Sequence, residues 1–227
     1  MSAALSNIEI CVFDAYGTLY DFNSAVARHR DAIGPKADAL AEMWRAKQIQ
    51  YTWLRNSMGT YAPFWQVTGE ALDYALQAHG IHDPPLRKRL MDLYLHLDAY
   101  PDARAALVAL REQGLRLAVL SNGSTGMLDA GIRNAQLDEL LDAVLSVEEV
   151  AVYKPSPEVY AMAARQLDLL PGEIGFVSAN GWDAHGASAF GFRVAWCNRS
   201  GLPPERLPGA PETEIRSLAE VPPFFAR

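Results

Sequence analysis

The sequence predicts an α/β fold: a parallel sheet with helices on both faces and a block of helices inserted after the first strand. Three observations predict it. From about residue 99 onward, short apolar runs alternate with segments of helical spacing, which implies right-handed βαβ units. One apolar run stands alone at residues 8–13, separated from the rest by a long stretch of helical periodicity. Side chains able to do chemistry recur just beyond the strand ends, the edge where open α/β sheets bind ligands.

The elements follow in order. Ile8-Glu9-Ile10-Cys11-Val12-Phe13 is apolar and rich in β-branched residues, and it closes in Asp14 and a Gly17-Thr18 turn. Apolar residues then fall at three- and four-residue intervals over residues 36–54 and 61–79. A third helix is expected over residues 85–97, with Pro84-Pro85 at its start. No strand is expected after Asp21 and up to Leu97. Strands are predicted at 115–120, 143–146, 174–177 and 193–196, with helices at 102–113, 124–134, 157–168 and 182–190. The Pro-rich segment 201–227 is expected to pack on the surface, with a short strand near 214–216. The chain thus divides into a core domain, 1–19 with 99–227, and a helical cap, 20–98.

Of the 227 residues, 50% are hydrophobic and 21% charged, enough for a sizeable core. The net charge of −7 argues against a nucleic-acid partner. No stretch approaches the ~20 apolar residues that span a bilayer, so no membrane association is expected. Residues 1–13 lack a basic segment followed by an apolar one, so no signal peptide is expected. Cys11 and Cys197 lie in apolar, strand-like runs, as in a reduced cytoplasmic protein. No Cys/His group has zinc-ligand spacing.

Four places carry the chemistry: Asp14 after the first strand, Ser121-Asn122-Gly123-Ser124 after the second, Lys154-Pro155 before a helix, and Ser178-Ala179-Asn180-Gly181-Trp182-Asp183 after the fourth. Each alone reads more readily as a turn, a cap or a solvated charge. In a parallel sheet, however, all four tips converge on one edge.

This set resembles the four motifs of the haloacid dehalogenase superfamily, with its Rossmann-like core. The likeness sharpens towards the L-2-haloacid dehalogenases through Asp14-Ala15-Tyr16-Gly17-Thr18, Trp44-Arg45-Ala46-Lys47-Gln48, Tyr51-Thr52-Trp53-Leu54-Arg55, Ser121-Asn122-Gly123, Tyr153-Lys154-Pro155 and Ser178-Asn180-Trp182-Asp183. The resemblance implies hydrolysis of (S)-2-haloalkanoic acids to (R)-2-hydroxyalkanoic acids and halide, with haloacetates such as fluoroacetate within range. Superfamily phosphatases carry a second Asp two residues after the first, to manage the leaving group beside Mg²⁺. Tyr16 stands there instead. Halide leaves as a stable anion and needs no proton, so no metal and no cofactor are expected.

The roles implied by the resemblance are specific. Asp14 attacks C2 and forms an ester. Asp183, with Asn180, activates the water that attacks that ester. Lys154 orients Asp14 and offsets repulsion among the anions. Ser178 holds Lys154 or Asp183, and Thr18 supports Asp14. Ser121, with backbone N–H groups near Ala15 and Tyr16, takes the substrate carboxylate. Arg45 and Asn122 receive the halide, although Arg45 alone would read as a solvated helix charge. Tyr16, Ile49, Phe64 and Trp182 wall the C2 substituent, while Tyr160 matches a supporting position at the substrate site. Ala46 departs from the glutamine of many relatives. His185 fits either a solvated helix position or the pocket entrance. A homodimer is expected by resemblance. Two other readings stay open: a Mg²⁺-dependent phosphatase with an unusual first motif, and a non-catalytic binding protein.

Overall fold

The computed structural model describes residue 5 and residues 7–225. The strands are β1 (Ile10–Phe13), β2 (Tyr20–Asp21), β3 (Asp98–Ala99), β4 (Arg116–Ser121), β5 (Ala143–Ser146), β6 (Ile174–Ser178), β7 (Arg193–Cys197) and β8 (Thr213–Ile215). The helices are α1 (Ser24–Ala27), α2 (Arg30–Ile33), α3 (Ala37–Met58), α4 (Phe64–Ala78), α5 (Pro84–Tyr94), α6 (Ala103–Glu112), α7 (Thr125–Asn134), α8 (Pro157–Leu167) and α9 (Gly181–Phe190).

Six strands form one sheet in the order β5-β4-β1-β6-β7-β8, and every pairing in it is parallel. Such sheets are covered on both faces, which is why β1 and β6 are apolar at nearly every position and buried throughout. From β1 the chain builds outward to β4 and β5, then crosses back to β6 on the other side. Right-handed crossovers in opposite directions put helices on opposite faces. They also leave a crevice beyond the carboxyl ends of β1, β4 and β6, where the order reverses. This is the Rossmann-like α/β arrangement that the alternating pattern implies.

Helices α1 to α5 all lie between β2 and β3. In α3 the buried positions Ala37, Leu40, Trp44, Gln48, Ile49 and Thr52 fall on one stripe, which packs against α4. Helix α3 runs past the predicted residue 54 and stops at Gly59, whose φ of +63° is the left-handed cap that favours glycine. Asp83 caps α5 by accepting from the Leu86 N–H at 2.8 Å, and Pro84 and Pro85 fill its first turn.

Two short strands that the sequence did not predict, β2 and β3, flank the helical stretch 22–97 and pair antiparallel at Tyr20↔Ala99 and Asp21↔Asp98. Two-residue strands show no periodicity, and each exists only because a distant segment supplies its hydrogen bonds. Arg28 pairs with Asp98 and offsets the facing acids.

Candidate active site

Asp14 follows β1 directly, and its backbone N–H still bonds to Val177 O on β6 at 2.9 Å. The carboxylate is therefore fixed at the sheet edge before any side chain acts on it. The next residues fold into a tight turn, with the Ala15 carbonyl accepting from Leu19 and Tyr20 at 2.9 and 3.0 Å. Gly17 takes a φ of +92° there, a conformation that strains other residues.

The two carboxylate oxygens of Asp14 have different surroundings. Oδ2 accepts from Asn180 Nδ2 at 2.8 Å, Thr18 Oγ1 at 3.0 Å and Ser178 Oγ at 3.4 Å. Oδ1 accepts from Lys154 Nζ at 3.2 Å. Thr18 is itself oriented, because its oxygen accepts from the Ala179 N–H at 2.8 Å. Its single hydrogen is thereby directed at Asp14.

Lys154 reaches Asp183 Oδ2 at 2.9 Å as well, and Tyr160 donates to Asp183 Oδ1 at 2.7 Å. Asp183 and Lys154 are 0% and 1% exposed, so this is a desolvated ion triad. Burial by itself would depress the Lys154 ammonium, but the facing Asp14 and Asp183 hold it above the ordinary lysine value. Burial pushes the Asp183 carboxyl up; Lys154 opposes this, and the negative charge of Asp14 adds to it.

The β4 tip completes this side. Asn122 Oδ1 accepts from the Lys154 backbone N–H at 2.9 Å, which leaves the Asn122 NH₂ group as a donor. Ser121 is buried and accepts from the Gly123 N–H at 3.1 Å. A Cβ on Gly123 would lie 2.8 Å from the Tyr16 ring, so glycine there makes room for Tyr16.

Tyr16 is walled by aromatics: Tyr94 at 5.5 Å, Phe64 at 5.8 Å and Tyr20 at 6.1 Å between ring centroids. Arg45 reaches this point from α3. Its guanidinium donates to Asn180 Oδ1 at 3.2 Å and to Gln48 Oε1 at 2.7 Å, and stands over the Phe22 ring at 4.7 Å. On its outer side Arg45 lines an open cleft of about 640 Å³ with Phe22, Val26 and Ala41. Ile49 is buried one turn along the same helix, and Trp182 meets Trp53 edge-on at 5.5 Å.

Three expected site residues make contacts that the sequence did not specify. Ser178 was expected to hold Lys154 or Asp183, but its hydroxyl faces Asp14 Oδ2, because β6 ends beside β1. Asn180 was expected to help Asp183 with water; its amide spans Asp14 and Arg45. Tyr160, expected at the substrate site, is fully buried among Phe176, Phe190 and Phe192 and holds Asp183 from behind. The helix α8 turns it inward, a direction that spacing from Lys154 does not reveal. His185 is buried, with its Nδ1 lacking a partner, so the solvated-helix reading fails.

The structure also adds residues that sequence reasoning gave no role: Gln48, Tyr94, Asn56 and Gly123. Gln48 did leave a signal, as a polar residue on the buried stripe of α3.

The sequence matches the family described as haloacid dehalogenase-like hydrolase over residues 8–191. The chain belongs to this family. Within the haloacid dehalogenase-like hydrolases it is 46% identical to (S)-2-haloacid dehalogenase 1 of Pseudomonas sp. strain CBS-3, over 97% of each chain. It is 43% identical to (S)-2-haloacid dehalogenase 4A of Burkholderia cepacia, over 98% of this chain and 97% of that one. The crystal structure of L-2-haloacid dehalogenase from Xanthobacter autotrophicus with chloropropionic acid covalently bound superposes with a TM-score of 0.88 at 38% identity, covering 95% of this chain and 97% of that one. No helix among the described residues of this family member is long and apolar enough to cross a membrane.

Proposed function

We propose that this protein is a hydrolytic dehalogenase that converts short-chain (S)-2-haloalkanoic acids into (R)-2-hydroxyalkanoic acids and halide. The observation that carries the reading is the Asp14 carboxylate held beside an aromatic wall. Tyr16 occupies the place where phosphoryl transfer calls for a second acid.

The asymmetry of Asp14 suggests how each step proceeds. Oδ2 is occupied by three neutral donors, so Oδ1 is the attacking atom. It displaces the halogen from C2 in line, and the halide leaves with the bonding pair towards Arg45 and Asn122. C2 is inverted, and an ester joins it to Asp14. The substrate carboxylate sits at Ser121 and the backbone N–H groups of Ala15 and Tyr16. Ile49, Phe64 and Trp182 are assigned to the wall around the C2 substituent.

Water then adds to the ester carbonyl carbon of Asp14. Asp183 accepts a proton from it, a role suited to its raised pKa. In the ester, Oδ2 is the carbonyl oxygen, and Thr18, Ser178 and Asn180 form a ready set of donors for the negative charge that develops on it. Collapse breaks the bond to Oδ1. The hydroxyacid leaves with one proton of the water, the other is released, and the water oxygen stays in Asp14. The covalent chloropropionic acid in the Xanthobacter relative supports such a route.

Metal-free chemistry belongs to this reading. Lys154 already places a cation between Asp14 and Asp183, and Tyr16 supplies no further acid. Residues 20–98 act as a cap that brings Arg45 over the nucleophile. Trp53, Leu54, Met58 and Tyr74 are exposed apolar groups on α3 and α4, which a second copy would cover in a homodimer.

The test is halide release from both enantiomers of 2-chloropropionate and from fluoro-, chloro- and bromoacetate, with and without chelator. Release from the (S) enantiomer that is insensitive to chelator is expected. Phosphatase activity without halide release would defeat the proposal. In ¹⁸O-water a single turnover labels Asp14 first; label appearing only in product excludes the ester.

A further inference from the structure

We infer that Gln48 is a positioning residue for the Arg45 guanidinium, and that Thr68 decides which end of the Gln48 amide faces it. This deepens the dehalogenase reading and rests on it, since it concerns how Arg45 is aimed at the departing halide.

Gln48 lies on the buried stripe of α3 and is 1% exposed. A polar amide between two packed helices costs stability unless it is fully bonded, and an apolar residue would serve packing alone better. Its bonds are sharply determined. The Thr68 hydroxyl gives its one hydrogen to Phe64 O at 2.7 Å. Thr68 Oγ1 therefore meets Gln48 only as an acceptor, and Gln48 Nε2 donates to it at 2.7 Å. That forces Oε1 to the other side, where Arg45 Nη1 donates to it at 2.7 Å. The Tyr94 hydroxyl closes the set, 3.0 Å from Nε2 and 3.2 Å from Oε1.

A flipped amide would set an NH₂ group against the guanidinium and an oxygen against a hydroxyl with no hydrogen left to give. Thr68 thus works as a polarity lock. It is anchored in turn, because Trp44 Nε1 donates to its carbonyl at 2.9 Å. Arg45 is then held from two sides, by Gln48 and by Asn180, and this fixes a long side chain that would otherwise sample many rotamers. The Tyr94 ring also stacks on Tyr16, so the same cluster sets the aromatic wall.

The experiment measures halide release from 2-chloropropionate and 2-bromopropionate by wild type, Gln48→Leu, Thr68→Val and Thr68→Ser, with chloride inhibition measured alongside. No release by the wild type would overturn the dehalogenase reading itself. With wild-type release in hand, Gln48→Leu is expected to lower kcat on the chloro substrate by about tenfold or more, the scale of a lost charge-assisted hydrogen bond. The loss should be smaller on the bromo substrate, whose leaving group needs less help, and chloride inhibition should weaken. Thr68→Val should reproduce the pattern and Thr68→Ser restore it. Equal losses on both substrates with chloride inhibition unchanged would overturn the inference, as would release within about twofold of wild type. If Gln48→Leu does not fold, the Thr68 pair decides on the same readouts.

Discussion

Asn56 and Tyr153 exchange two hydrogen bonds although 97 residues separate them: Asn56 Nδ2 donates to Tyr153 O at 2.8 Å, and Tyr153 N donates to Asn56 Oδ1 at 2.9 Å. One side chain near the end of α3 thus grips the backbone immediately before Lys154. The Tyr153 hydroxyl also donates to Ala62 O, past the end of the same helix. The helical segment and the backbone leading into Lys154 are tied at this point. Asn56→Leu removes both bonds and leaves a backbone N–H and C=O unpaired. We expect about 1–3 kcal/mol of lost stability and slower halide release, read by urea unfolding and steady-state assay. Unchanged values for both would show that the tie contributes nothing.

Lys154→Met keeps much of the side-chain length and removes the charge. Asp14 and Asp183 then face each other in a buried site with no cation between them. Removing one partner of a buried ion pair costs about 3–5 kcal/mol. The variant should unfold at markedly lower denaturant than wild type and release no halide. A midpoint equal to that of wild type would contradict the triad.

The pH profile follows from the two shifted groups. Asp183 titrates above the ordinary aspartate value of ~3.9. Its ion pair with Lys154 is present above that raised value and is lost as the pH falls through it, so the acid limb of kcat, which includes ester hydrolysis, marks its protonation. Lys154 is held above the ordinary ~10.4 and stays charged until the pH rises past its folded value. The alkaline loss therefore lies above ~10.4. Tyr160→Phe removes a bond that lowers the Asp183 pKa, so its acid limb should move to higher pH. A shift to lower pH would refute the assignment.

Thr18→Val and Ser178→Ala each remove a donor from Asp14 Oδ2. If these donors hold the charge during ester hydrolysis, the second step slows more than the first. Rapid-quench halide release should then show a burst followed by a slow phase, with turnover reduced about 10²-fold for Thr18→Val, typical of one lost oxyanion donor. Ser178→Ala should cost less, since its bond is longer at 3.4 Å. Equal slowing of both steps would place these donors on the nucleophile alone.

The strand-tip motifs were legible because local sequence sets them. Asp14 closes a buried strand, Ser121-Asn122-Gly123 another and Ser178 a third, and parallel topology brings those tips together. What each side chain touches was not legible. Ser178, Asn180 and Tyr160 lie in recognisable motifs, yet their partners depend on how β6, α8 and α9 are set against β1. Gln48, Thr68 and Tyr94 come from three different helices, and no local pattern joins them.

The sequence by itself determined the α/β alternation, the long helical insertion and the set of residue types at the sheet edge. These follow from hydrophobic periodicity and turn chemistry, which act over a few neighbouring residues. Only the tertiary structure decided that Asp14 Oδ2 is saturated while Oδ1 faces Lys154, and that the Gln48 amide points its oxygen at Arg45. Those facts depend on hydrogen-bond directions between segments far apart in the chain, and directions exist only once the segments have packed.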